Sequence, residues 1–246
     1  MEFNESQPFY TNIGQKKPPF FEALLLFLVF FFPGYLGQNS GFHISQLFSP
    51  EFHLGSLVFT LPQLLLMLYI IGLRLGPLVH GLGIRPFESR LLPRSLLTLI
   101  SLLAITFGLG ALLQLFNYIS DAELYNPTLA PGKMSISYSE IEGVPFIAVL
   151  ILATSLCIAY LEELFFRVYL IGQFGEDRRS TIIVVLLSSA LFAAGHLYQG
   201  LVGGMGTFLI GLFLSLSYIR RRSWHEISIA HGLYNFIIIM LAPLTY

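Results

Sequence analysis

Charge is what this sequence has least of. Asp, Glu, Lys and Arg make up 11% of its 246 residues, against roughly 25% in an ordinary soluble domain. Hydrophobic residues reach 55% and the mean hydropathy is +0.74, which excludes a soluble globular class. A formal net charge of -1 gives no purchase on nucleic acid. The single cysteine, Cys157, excludes an intramolecular disulfide and leaves the redox compartment open. No cleavable signal peptide is read, because residues 1–18 are polar or mixed and no small-residue cleavage site closes the apolar run that follows. Internal repeats and low-complexity tracts are absent too.

Long apolar runs are abundant instead. A helix needs about 20 mostly apolar residues to cross the hydrocarbon core. Candidate spans fall near 20–37, 55–73, 95–117, 144–170, 181–198, 202–219 and 226–243. The predicted fold is all-α, a polytopic transmembrane helical bundle of about seven (six to eight) spans. Residues 1–18 form a polar cytoplasmic arm, and 19–246 a single transmembrane domain. Pro33 and Gly34 interrupt the first run, so a re-entrant first segment with six full spans is the alternative.

The basic residues give an orientation. Lys16, Lys17, Arg74, Arg85, Arg90, Arg94, Arg178, Arg179, Arg220, Arg221 and Arg222 fall on one side of the predicted bundle, and Lys133 alone on the other. The positive-inside rule makes the N-terminus cytoplasmic and the C-terminus distal. Residues 74–95 read as a basic amphipathic segment along the cytoplasmic interface. Residues 118–143, with Asp121, Glu123, Glu140 and Glu142, read as a solvated acidic loop. Trp224 reads as an interfacial anchor.

Against this background the stretch YLEELFFRVYL, residues 160–170, is anomalous. Arg167 is the only basic residue well inside a predicted span, and Glu162 and Glu163 the only acids. Each ionisable group at such depth costs about 2.5–3.5 kcal/mol on insertion scales and marks a functional candidate. At i, i+4, Glu163 and Arg167 share a helix face and can pair. Glu162 lies about 140° around the helix from Arg167, free to face a cavity, where a carboxylate suits general-base work.

Two further spans carry matching polar residues. Phe192 and His196 are four apart in LFAAGHLYQG, and His231 and Asn235 four apart in IAHGLYNFII. A lone intramembrane histidine serves packing or catalysis; two histidines, an asparagine and a buried acid on three helices point to one cavity. At 1.5 Å per residue, Glu162 and His231 lie on the order of 15 Å from the cytoplasmic arginines, but His196 roughly 24 Å. Tilt or a shifted helix boundary has to close that gap. His43, His53, His80 and His225 fall in loops or at interfaces and read as solvated.

In order, these stretches resemble the CPBP family of intramembrane proteases, which includes the type II CAAX prenyl endopeptidases and bacteriocin-processing enzymes. The family pattern of EExxxR, FxxxH and HxxxN is matched at Glu162, Glu163 and Arg167, at Phe192 and His196, and at His231 and Asn235. The resemblance covers about the last 90 residues and implies a glutamate-dependent peptidase in a helical bundle. Glu162 would activate water with His196, and His231 and Asn235 would donate to the oxyanion. Glu163, Arg167 and Phe192 would support them. It implies a peptide or prenylated protein substrate reached in the lipid bilayer, with no cofactor. A multi-pass protein of a prokaryotic plasma membrane is expected.

Three rivals remain open. Glutamate with two histidines is also the ligand set of some catalytic zinc sites, although the helical H-E-x-x-H spacing is missing. A non-catalytic membrane scaffold or chaperone could keep the fold without turnover. A transporter could use buried acids as proton relays, though no repeat symmetry accompanies them.

Overall fold

The computed structural model describes residues 20–36, 44–75, 82–120 and 143–242. The N-terminal arm, His43, His80, Lys133 and most of the acidic segment 118–143 lie outside the described residues. Within them the chain is helical: α1 (Phe20–Phe30), α2 (Phe32–Leu36), α3 (Pro50–Leu75), α4 (Leu92–Ser120), α5 (Val144–Glu163), α6 (Leu170–Phe174), α7 (Arg178–Ala194), α8 (Gly200–Arg221) and α9 (Trp224–Leu241). α5 runs into α6 through a π-helical segment, Leu164–Tyr169. No strand occurs among the described residues.

Four helical stretches among the described residues are long and apolar enough to cross a membrane: Pro50–Leu73, Ser89–Phe116, Val144–Phe174 and Leu197–Arg221. α7 has 17 residues and α9 has 18, or about 26–27 Å of helix, slightly under a typical hydrocarbon thickness. Both are diluted by the polar residues that matter below. The protein is a helical membrane bundle, with lipid-facing Leu, Ile and Phe along α3 and α4 left exposed.

Small residues set how closely the functional helices approach. A Cβ on Gly232 of α9 would stand 2.9 Å from the Leu156 Cα of α5, and one on Gly211 of α8 would stand 3.2 Å from the Ser189 Cα of α7. Backbone contact of this kind is how membrane helices pack without a hydrophobic driving force. Gly232→Ala should therefore push α9 off α5 and destabilise the fold by about 1–3 kcal/mol. An unchanged thermal unfolding midpoint in detergent would refute that contact.

Local signals fix the helix ends. Asp177 caps α7, its Oδ1 accepting from the Arg179 and Ser180 amides at 2.7 and 2.9 Å, while the Ser180 hydroxyl accepts from the Asp177 amide. These bonds, the Ser180 amide first, hold the Asp177 carboxyl below the ordinary Asp range. The sign follows from that depression: the cap stabilises fully above the unfolded-state value and fades as pH falls through the lower native one. Asp177→Asn should lower the thermal midpoint at neutral pH and lose its effect in acid. A pH-independent difference would contradict the charge-assisted cap.

The turn between α8 and α9 is pinned from outside. Arg222 adopts φ 47°, and Gly83, at φ 80°, meets it so closely that a Cβ would overlap the Arg222 carbonyl. Tyr218 donates to the Leu82 carbonyl at 2.9 Å. The described end of the 74–95 segment is thus tied to the start of α9, which positions His231 two turns further on.

Candidate active site

Glu163 ends α5 and Arg167 lies in the π segment; both side chains are fully buried. Arg167 Nη1 donates to Glu163 Oε1 at 3.0 Å, the pairing expected from their spacing, and Nη2 donates to the Gly211 carbonyl at 3.4 Å. The guanidinium carbon sits 4.4 Å from the centre of the Phe192 ring. A buried cation must replace its hydration with partners, and here a carboxylate, a carbonyl and a ring face do so.

The π segment itself is a departure from the regular helix expected over 144–170. A π turn disturbs the i→i−4 ladder and tends to occur at functional sites. The disturbed backbone finds an outside partner: Ser188 of α7 donates to the Phe166 carbonyl at 2.7 Å. No sequence signal marks that bond, which joins residues 22 apart.

His231 of α9 stands between the two glutamates. Its Nδ1 is 2.8 Å from Glu163 Oε1, and its Nε2 is 3.9 Å from Glu162 Oε2. The helical wheel separates the two carboxylates, yet both reach one imidazole because α9 lies across the end of α5. A Glu163 carboxylate can only accept, so Nδ1 carries the proton and Nε2 is the edge turned to Glu162. His231 is 3% exposed, while the Glu162 side chain retains 17%, making Glu162 the more open of the two acids.

His196 reaches the same neighbourhood by a different route from the one expected. The span predicted over 181–198 would keep it helical, but α7 stops at Ala194 and His196 occupies the following turn, at φ -119°. Its Nδ1 bonds the Phe192 carbonyl at 2.9 Å. Phe192 then touches both histidines, with ring centres 4.9 Å from His196 and 5.7 Å from His231. The helix end shortens the rise to His196 by only two residues, about 3 Å at 1.5 Å per residue. Asn235 lies one turn beyond His231 on α9 and is half-buried.

Three expectations need correction. Trp224 is buried rather than interfacial: its Nε1 donates to the Tyr160 carbonyl at 3.2 Å. His53 and His225 are not solvated bystanders. His53 is 1% exposed, with Nε2 2.8 Å from the Leu47 carbonyl, and His225 bridges the Tyr160 hydroxyl and the Arg85 carbonyl at 3.0 and 2.7 Å. Glu226 is also buried, paired with Arg221 and accepting from Thr98 at 3.1 Å. Its position at the first turn of α9 reads as an interface in sequence, and only packing against α4 encloses it.

Among the described residues, no group of three or more His, Cys, Asp and Glu side chains is arranged to hold a metal ion. Both histidines engage Nδ1, His196 with the Phe192 carbonyl and His231 with Glu163, as zinc-ligating histidines often do. With Glu162, however, they do not converge as a ligand set.

Residues 144–237 match the family model described as type II CAAX prenyl endopeptidase Rce1-like. No curated protein and no solved structure matches the chain. The matched segment runs from the start of α5 into α9 and contains Glu162, Glu163, Arg167, Phe192, His196, His231 and Asn235. This segment is similar to the type II CAAX prenyl endopeptidase Rce1-like family, and the similarity supports an intramembrane endopeptidase as the general class.

Proposed function

We propose that this protein hydrolyses a peptide bond at or within the membrane with a water activated by Glu162. The supporting observation is the 3.9 Å between Glu162 Oε2 and His231 Nε2. That separation exceeds a direct hydrogen bond and leaves an edge where one water can touch both groups. Glu162 takes a proton from that water as its oxygen adds to the scissile carbonyl carbon, with His196 helping to hold it. His231, when its ring carries both protons, and Asn235 donate to the oxyanion; such a donor is worth about 2.7–4 kcal/mol. Glu162 then passes its proton to the leaving amine as the C–N bond breaks. Products are a carboxylate and an amine, with Glu162 restored.

Glu163 serves this scheme by orienting His231 through its Nδ1 at 2.8 Å, and Arg167 by neutralising Glu163. Prenylated CAAX-type C-termini are the substrate class we favour, with small leader or membrane peptides next, in a prokaryotic plasma membrane with the N-terminus cytoplasmic. No cofactor is invoked. A zinc peptidase is the runner-up, favoured by the engaged Nδ1 atoms of both histidines.

Cleavage of a quenched-fluorescent farnesylated CAAX peptide by purified protein, with and without chelator, tests the reading. Turnover that survives chelator and is lost in Glu162→Gln is expected. Chelator-abolished turnover restored by zinc would replace it with the metallopeptidase, and retained turnover in Glu162→Gln would remove Glu162 as the base.

A further inference from the structure

The turn that brings His196 to the site does not stand alone. Carbonyls near a helix end run short of intrahelical donors, and in α7 the Leu191 carbonyl keeps only a long bond from the Gly195 amide, at 3.3 Å. The Leu191 carbonyl receives the hydroxyl of Tyr35 at 2.6 Å, across 156 residues of sequence. The ring lies flush on the turn: a Cβ on Gly195 would stand 2.6 Å from a Tyr35 ring carbon. One side chain therefore caps α7 and fills the space beside the residue preceding His196.

Tyr35 is itself firmly held. It belongs to α2, and Phe27 of α1 packs edge-on against it with ring centres 5.3 Å apart. Phe31 between them anchors both short helices to the π segment, at 4.8 Å from Phe165 and 5.0 Å from Phe166. Tyr35, Phe27 and Phe31 stand outside the family-matched segment, which begins at residue 144, while the residues they contact lie within it.

We infer that Tyr35 is a positioning residue for the hydrolytic site: by capping α7 it stops the helix at Ala194 and turns His196 toward Glu162. The inference rests on the peptidase reading for its kinetic consequence, but not for its structural one. The N-terminal helices are then part of the machinery rather than a membrane anchor. Gly195 is required because any side chain there displaces the phenol.

The test compares wild type with Tyr35→Phe, which keeps the ring and removes only the hydroxyl. Ring resonances of His196 and His231 are read in protein labelled at histidine, assigned by His196→Gln and His231→Gln, alongside cleavage of the farnesylated peptide. Movement of the His196 signals with those of His231 unmoved is expected. With it, kcat should fall roughly ten- to a hundredfold at unchanged KM, the scale of a small misplacement of a catalytic group. Gly195→Ala, which keeps the phenol but displaces it, should reproduce both effects and serves if Tyr35→Phe does not fold. Unmoved His196 signals overturn the inference, as does loss of activity through KM alone. If wild type fails to cleave, the peptidase reading falls while the resonances still decide the role of Tyr35.

Discussion

Glu162→Gln should lower turnover by about 10²–10⁴-fold, the usual contribution of a positioned general base, while leaving a folded, monodisperse protein. The substitution keeps the shape of the side chain and removes its capacity to take a proton. Folding should survive because the Glu162 side chain is the more open of the two, at 17% exposure, and has no cation of its own: Arg167 is paired with Glu163. The measurement is kcat in detergent or liposomes with size-exclusion and thermal-unfolding profiles beside it. Loss of activity with loss of folding would mean that Glu162 is a packing residue. Turnover within a few-fold of wild type would move the base elsewhere, and Glu163, sharing His231, would be the next residue to replace.

Arg167→Ala should do the opposite and damage the fold first. Removing one partner of a buried ion pair leaves the other charge uncompensated, at about 3–5 kcal/mol. Glu163 would keep only the His231 Nδ1 contact at 2.8 Å, since its Oε2 has no partner among the described residues. Gly211 would lose a donor to its carbonyl, and Phe192 the cation beneath its ring. Because Phe192 touches both His196 and His231, activity should fall even in whatever fraction folds. Expression yield, thermal midpoint and specific activity of the recovered protein measure this together. A stable, fully active Arg167→Ala would show that the pair is dispensable and that Glu163 orients His231 unaided.

These two outcomes separate roles that sequence spacing only hints at. Glu162 and Glu163 are adjacent and chemically identical, yet one is enclosed by a cation and an imidazole while the other faces a gap. Gly211, Ser188 and Phe192 are ordinary residues in an apolar chain, and each makes a contact that the buried arginine or the π segment needs. The buried Glu226, paired with Arg221 and Thr98, has no place in the chemistry and reads as a latch between α4, α8 and α9.

Composition and local spacing determined the helical membrane bundle and the Glu163–Arg167 pair. Apolar runs of this length have no other way to satisfy their backbone in lipid, and side chains four apart meet because the helix repeat puts them on one face. The six polar positions, Glu162, Glu163, Arg167, His196, His231 and Asn235, could be picked out because lipid makes each of them costly. What the sequence could not decide is how helices distant along the chain rotate and end. Glycine contacts at Gly232 and Gly211 set those approaches. They wedge His231 between two carboxylates 68 and 69 residues away, while Ser188 secures the π segment from another helix. At the end of α7 the Leu191 carbonyl takes a hydroxyl from α2 beside the long bond from Gly195, because a weakly engaged carbonyl accepts whichever donor the tertiary packing delivers.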